Sequence, residues 1–247
     1  GLQLFTASGE DRITLNFTGE GSHAYTLTSG ADPQLYRLLV NKGSDTTSTF
    51  TFNSNFTLNG DNTVSPQALE LQSGKLVFNN SSINLELTNG LDYAINSSSG
   101  LEVTQGTVTA TNANIILNGL LRVSGGTVDL GTTDIEYSNT GSALIEVSSG
   151  TLEVGGQVRR ATTTTSGILK YRQTGGDVDI AVDGISTSDR AVFEVLNTGS
   201  EFTLTGGSFN LRRGVTGDAN PSLELDPETF DLTGSTITIF DGLGADY

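Results

Sequence analysis

The stretch LRVSGGTVDL, residues 121–130, holds two short alternating runs, Leu121-x-Val123 and Val128-x-Leu130, hinged on Gly125-Gly126. Alternation with a period of two sends Leu121, Val123, Val128 and Leu130 to a buried side and leaves Arg122 and Asp129 towards water. Glycine between the runs accepts a tight bend or a positive φ without a Cβ penalty.

The phrase returns six more times. Aligned on the central glycine, the copies are LELQSGKLVF (69–78), LEVTQGTVTA (101–110), IEVSSGTLEV (145–154), YRQTGGDVDI (171–180), FTLTGGSFNL (202–211) and FDLTGSTITI (230–239). In the last, Ser235 takes the anchor position and Gly234 precedes it. The anchors step by 32, 20, 24, 26, 31 and 28 residues. A repeat averaging about 27 residues with uneven insertions fits one coil of a right-handed parallel β-solenoid. Each coil of such a fold stacks its short strands on the coils above and below, so inward residues form columns. One column is Leu71, Val103, Val123, Val147, Leu204 and Leu232; another is Leu76, Val108, Val128, Leu152, Val178, Phe209 and Ile237. Gln173 interrupts the first, which predicts a coil that shifts register or tilts outwards there.

The first 66 residues are less regular. AYTLTSG (24–30) and FTFNSNFTLNG (50–60) carry the alternation without the full phrase, and residues 2–5 and 13–17 start the stack. Residues 34–41 read as one strand in which Tyr36, Leu38 and Val40 alternate, after a turn at Pro33. Two windows show helical spacing, at Ala113/Ile116/Leu117/Leu120 and Val178/Ala181/Val182/Ile185, but Gly119 and Gly184 cut them. A helical turn fits residues 189–195 at a coil corner. Ala219-Asn220-Pro221 and Asp226-Pro227 read as loops protruding between the last two coils. The expected architecture is an all-β parallel β-helix of roughly nine coils, one domain over residues 1–247. At about 4.8 Å per coil it would be about 45 Å long. Residues 242–247 supply no amphipathic lid for the open end, and position 1 is not methionine. Both points lead us to expect a segment of a longer chain.

Composition narrows the function. With 31 Gly, 4 Pro and 35% hydrophobic residues, the chain has the make-up of strands and turns. The absence of cysteine excludes a disulfide scaffold, a thiolate zinc site and a cysteine nucleophile. A formal charge of −16 argues against nucleic acid or an anionic membrane surface as partner. The sequence contains no signal peptide and no apolar run of transmembrane length, so direct membrane insertion is not expected.

The stretches LYRLLVNKGSDTTSTFTFNSNFTLNG (35–60) and LELQSGKLVFNNSSINLELTNG (69–90) resemble the repeat-rich surface and secreted proteins of Bacteroidetes. The closing FDLTGSTITIFDGLGADY (230–247) is similar to the final coils of the same segments. More distantly the chain resembles autotransporter passenger stalks with their Gly-Gly-Thr-Leu-x-Val coils. The resemblance covers most of the chain from Leu35 onward and implies a large exported cell-surface protein, an adhesin or filament, located extracellularly or at the cell surface. Surface glycans, or other copies or domains of the parent protein, are the partners it implies. Asp45-Thr46-Thr47 resembles the short O-glycosylation motif of such proteins. The coils here are less even, and the sequence shows no C-terminal sorting domain.

Polysaccharide-cleaving parallel β-helices are the alternative. Glycoside hydrolysis needs two carboxyl groups across the scissile bond at a defined separation. Glu102, Asp129, Glu146 and Glu153, or Asp177 with Asp179, project outwards from neighbouring coils and are the candidates. Outward acids also keep a solenoid surface soluble. Resemblance to those enzymes would bring adjacent aspartates, a Gly-His-Gly loop or an Arg-x-Lys pair, and these are missing. His23 is the sole histidine, so a triad would have to be built on it. DGISTSD (183–189) and DGLGAD (241–246) are the stretches richest in calcium-type ligands, but each offers two carboxylates and neither has EF-hand spacing. Thr107-x-Thr109-x-Thr111 and Thr236-x-Thr238 suggest an ice-binding ladder. Asp129, Glu153, Asp179 and Asn210 break it in the slot of Thr109. Sequons at Asn16, Asn55, Asn79, Asn80 and Asn96 are what an Asn/Ser/Thr-rich chain produces by chance. Aromatics fall in strand phrases and are assigned to the core. The reading is a non-catalytic structural or adhesive stalk, with no catalytic, cofactor or metal residue assigned. A carbohydrate-binding or polysaccharide-degrading β-helix is the alternative.

Overall fold

A computed structural model describes residues 13–26, 33–58, 68–87, 92–110, 113–138, 142–162, 166–185, 187, 189–214 and 222–239. The chain runs through β1 (Thr14–Thr18), β2 (His23–Tyr25), β3 (Gln34–Leu35), β4 (Arg37–Asn41), β5 (Thr49–Phe52) and β6 (Thr57–Leu58). Two long bent strands follow, β7 (Leu69–Leu87) and β8 (Tyr93–Ala110). Then come β9 (Ile115–Leu117), β10 (Leu120–Val123), β11 (Thr127–Asp129), β12 (Ile135–Tyr137), β13 (Ser142–Val147), β14 (Thr151–Val154) and β15 (Val158–Arg160). Strands β16 (Ile168–Ile180), β17 (Phe193–Leu211), β18 (Leu223–Leu232) and β19 (Thr236–Ile239) finish the described chain. Among the described residues there is no helix, and the strand pairings are all parallel.

The result is a parallel β-solenoid with three faces. Face A stacks β1, β4, the starts of β7 and β8, β9, β12, β15 and the starts of β17 and β18. Face B stacks β2, β5, the middles of β7 and β8, β10, β13, the start of β16, the middle of β17 and the end of β18. Face C stacks β3, β6, the ends of β7 and β8, β11, β14, the ends of β16 and β17, and β19.

The repeated phrase is the corner between faces B and C. Leu121 and Val123 lie on face B and Val128 and Leu130 on face C, all almost fully buried. Gly126, Gly150, Gly176 and Gly207 turn it with positive φ. A Cβ on each would lie 2.1–2.6 Å from the carbonyl oxygen of the glycine one coil below, so the glycines are required by φ and by space together. Inside, Val103, Val123, Val147, Gln173, Leu204 and Leu232 line up on face B. Val108, Val128, Leu152, Val178, Phe209 and Ile237 line up on face C. Aromatics extend the columns: Tyr171, Phe202 and Phe230 stack with ring centroids 5.3 and 5.6 Å apart.

The first copy of the phrase is displaced. Leu71 pairs with Ile95, and Leu76 pairs with Leu101, so neither sits in the column assigned from the alignment on glycine. Gly74, φ 81°, turns the corner between faces A and B instead. A glycine corner with apolar residues on either side is a local motif, and nothing local says which two faces it joins.

Gln173 does not tilt outwards. It is fully buried, its Oε1 accepts from the Tyr171 hydroxyl (2.6 Å), and its Nε2 donates to the carbonyls of Gly176 (3.1 Å) and Ser208 (2.9 Å). An amide satisfied on both ends is tolerated inside. The register shift does occur, one residue later, at Thr174 between β16 and β17. Residues 34–41 form two strands with a bend at Tyr36, because the chain changes face there. Residues 189–195 contain a turn leading into β17 and no helical turn. Asp226-Pro227 is not a protruding loop but part of β18, paired with Leu196 and Asn197. The starting segment 2–5, the loop 219–221 and residues 242–247 lie outside the described residues.

The corner between faces C and A is built from side chains that cap the next coil. Asp92 Oδ1 accepts from the backbone N–H of Asn114 (3.2 Å), Asn114 Oδ1 from that of Asp134 (3.0 Å) and Asp134 Oδ1 from that of Gln157 (2.7 Å). Gln157 Oε1 in turn accepts from Thr187 N–H (3.0 Å). Backbone donors that the strand ladder leaves at the bend are satisfied this way.

Candidate functional site

The outward positions of face B carry Glu102, Arg122, Glu146 and Arg172 in register on successive coils. They alternate in sign and pair along the axis. Lys75 Nζ donates to Glu102, and Arg122 lies 3.9 Å from Glu102 and donates from Nε to Glu146 Oε2 (2.7 Å). Arg172 stands 3.6 Å from Glu146 and grips Glu201 through Nε and Nη2, both at 2.7 Å. The Arg172 hydrogen bond holds the Glu201 carboxyl below its ordinary range, outweighing its partial burial. The strand pairing therefore sets two of the candidate acids, Glu102 and Glu146, each between two cations. Each of these carboxylates is engaged by cations of the coils on both sides, so neither stands free to approach a scissile bond. A groove of about 240 Å³ runs beside this line, bordered by Arg122, Glu146, Val147, Ser148, Arg172 and Thr174. Glu146 is its one carboxylate, whereas glycoside hydrolysis needs two.

Face C differs. Its outward column reads Thr109, Asp129, Glu153, Asp179, Asn210 and Thr238, so acids of three successive coils stack with no base between them. Partial burial pushes the Glu153 carboxyl above its usual range, and the charges of Asp129, Asp179 and Asp183 add to the shift. Asp179 is relieved by Arg212 Nε (2.7 Å) and Asn210 Nδ2 (2.9 Å), and Asp129 accepts from Gly131 N–H (2.9 Å). Neither the groove of face B nor the larger one bordered by Leu196, Asn197, Thr198, Glu224, Asp226, Pro227 and Glu228 includes this stack. Asp177 lies beside it, exposed, and accepts from Ser208. Thr107, Thr127, Thr151 and Thr236 form a neighbouring row interrupted by Asp177 and Ser208.

The stack predicts a pH effect. Glu153 ionises less readily folded than unfolded, so its charge costs stability, and the cost fades as pH falls through the raised value. Glu153→Gln should therefore stabilise the fold at neutral pH, by less than about 1 kcal/mol because the column is open to screening water. The gain should vanish in melting curves recorded near about pH 4, where the free carboxyl is protonated.

The other candidates are dispersed. His23 Nδ1 lies 3.0 Å from the ammonium of buried Lys42, which supplies neither the hydroxyl nor the carboxylate of a triad. Asp183 and Asp189 are both exposed, and Asp241 and Asp246 lie outside the described residues. Among the described residues no three His, Cys, Asp or Glu side chains are placed to hold a metal ion. Asp45 Oδ1 caps an exposed turn, accepting from Thr47 N–H (2.9 Å) and Oγ1 (2.6 Å). Of the sequon asparagines, Asn16 and Asn79 are exposed, while Asn80 donates to the carbonyl of Asn53 (2.7 Å). Phe50, Phe52, Phe56, Phe202 and Phe209 are core.

One polar cluster escaped sequence reasoning. Face A pairs β15 with β17 through the single step Val158↔Phe193. Around that thin rung, buried Glu194 accepts from the backbone N–H of Arg160, from Arg160 Nε (3.0 Å) and from Arg190 Nη2. The Tyr137 hydroxyl donates to the carbonyl of Glu194 (2.9 Å), and burial pushes that hydroxyl far above its ordinary range. Burial opposes the Arg160 charge, but the hydrogen bond and charge of Glu194 more than offset it. Nearby, Arg159 donates to Asp134 Oδ2 (3.0 Å) and Glu136 Oε1 (2.6 Å). The available signal was Arg159-Arg160, where the preceding coil has the Tyr137 slot in register with Arg160.

No protein-family model matches the chain, and no curated protein or solved structure matches it.

Proposed function

We propose that this chain is a non-catalytic structural or adhesive stalk segment of a large exported bacterial surface protein, with surface glycans or further copies or domains of that protein as its partners. The line from Lys75 to Glu201 carries the reading. The outward acids of face B neutralise basic residues on adjacent coils, an arrangement that braces an elongated surface and ties those carboxyls up in ion pairs. Purified protein should leave bacterial and plant polysaccharides intact in a reducing-end assay. Cleavage that disappears when Glu146 or Glu153 becomes Gln would sink the proposal. The raised Glu153 beside Asp129 and Asp179 favours the second reading, a carbohydrate-active β-helix, and the same assay decides between them.

A further inference from the structure

Face B carries a trench along the solenoid axis. Glu102, Arg122, Glu146 and Arg172 form a ridge of long side chains, and two residues further along each strand the outward positions hold Thr104, Ser124, Ser148 and Thr174. A period of two sets this row of short hydroxyls beside the ridge on the same face. The groove of about 240 Å³ opens between ridge and row, from Arg122 to Thr174. That span is two coil steps, about 10 Å. Smaller than the roughly 300–1,000 Å³ of a pocket that encloses a drug-sized ligand, it suits a chain laid along it.

The polar groups here are not all spent on the fold. Thr104 Oγ1 donates to the Phe78 carbonyl (2.9 Å) and Ser124 Oγ to Glu102 Oε1 (3.2 Å). The Ser148 and Thr174 hydroxyls, both exposed, have no hydrogen-bond partner among the described residues. The side chains of Arg122 and Arg172 are 35% and 41% exposed, against 16% for Lys75 at the start of the line. Their Nη1 atoms stand 3.9 Å from Glu102 and 3.6 Å from Glu146, too far for a hydrogen bond. The groove therefore offers N–H donors, hydroxyls that donate or accept, and one carboxylate acceptor, Glu146.

We propose that this groove binds a neutral glycan strand laid along the solenoid axis. Charge and chemistry select that occupant. A cation would meet Arg122 and Arg172, and an anion would meet Glu146 and a chain of net charge −16. No aromatic side chain borders the groove, so a flat apolar ligand finds no platform. An extended peptide finds no strand edge, because the backbone N–H groups of Ser124 and Ser148 already donate to Val103 and Val123 (3.0 and 2.9 Å). Sugar hydroxyls are uncharged and both donate and accept, which matches what remains. The inference rests on the adhesive reading above and gives it a glycan site and class.

Calorimetric titration and amide NMR of the whole chain with cellohexaose, mannohexaose and xylohexaose test it, with hexagalacturonate and the chitosan hexamer as anionic and cationic counterparts. At least one neutral hexasaccharide should bind and shift the signals of residues 146–148 and 172–174, and both charged oligomers should bind at least about tenfold more weakly. Replacing Ser148→Ala and Thr174→Ala together should lower the affinity about tenfold, the worth of two neutral hydrogen bonds. Thr151→Ala on face C should leave it unchanged. Failure of all three neutral oligomers to bind would overturn the proposal, as would tighter binding of a charged one or an affinity indifferent to the double substitution. Cleavage of an oligomer would overturn the non-catalytic reading instead, and the groove would still be judged by the shifts.

Discussion

Val128→Asp is expected to destabilise the protein by about 3–5 kcal/mol in urea or thermal unfolding, or to leave it unfolded. Val128 is fully buried in the face C column, between Val108 below and Leu152 above. An aspartate there would lose its hydration and find no cation among these neighbours. Asp129→Ser, one residue along and outward, should change stability by no more than about 0.5 kcal/mol. A serine hydroxyl can still accept from Gly131 N–H, and removing a charge relieves Glu153. Equal losses at the two positions would contradict the facing of the strand and with it the column.

Glu194→Ala should cost a similar amount, about 3–5 kcal/mol, for a different reason. It leaves the buried guanidinium of Arg190 and the adjacent Arg160 without the carboxylate they share. Combining it with Arg190→Met should recover part of the loss, because a vacant buried charge is costlier than an apolar pair of similar volume. Unfolding curves of the two single variants and the double variant check this. Losses that simply add would mean that Glu194 and Arg190 act independently.

The phrase at residues 121–130 revealed the solenoid because its chemistry is local: alternation, a glycine bend and another alternation. Columns on faces B and C followed from alignment for coils whose glycine turns the same corner. The alignment failed at Leu71 and Leu76, where an equivalent bend joins faces A and B. Gln173 was misplaced because polarity alone does not tell whether partners are waiting, and Tyr171, Gly176 and Ser208 were. Outward acids were identifiable, but whether each would meet a base depended on register. Glu146 falls between Arg122 and Arg172, whereas Glu153 falls between Asp129 and Asp179. The capping chain from Asp92 to Gln157 and the meeting of Glu194 with Tyr137 and Arg160 depend on contacts between residues 20 or more positions apart, which no local pattern encodes.

The glycine corner also decides where this architecture can change. From Val103 to Val108, Val123 to Val128, Val147 to Leu152, Gln173 to Val178, Leu204 to Phe209 and Leu232 to Ile237 the corner keeps one length, coil after coil. Gly126, Gly150, Gly176 and Gly207 each rest on the carbonyl beneath, which leaves those four bends no room for a side chain. In these coils variation in length falls at the other two corners, as in the passage from Ile180 to Phe193; in the coil before them the same corner is longer, since Phe78 pairs with Val103 and Leu85 with Val108. From β8 onward the molecule thus has a spine of constant length and two variable flanks. New loops, and with them new recognition, can be acquired along those flanks without renegotiating the stack that carries them.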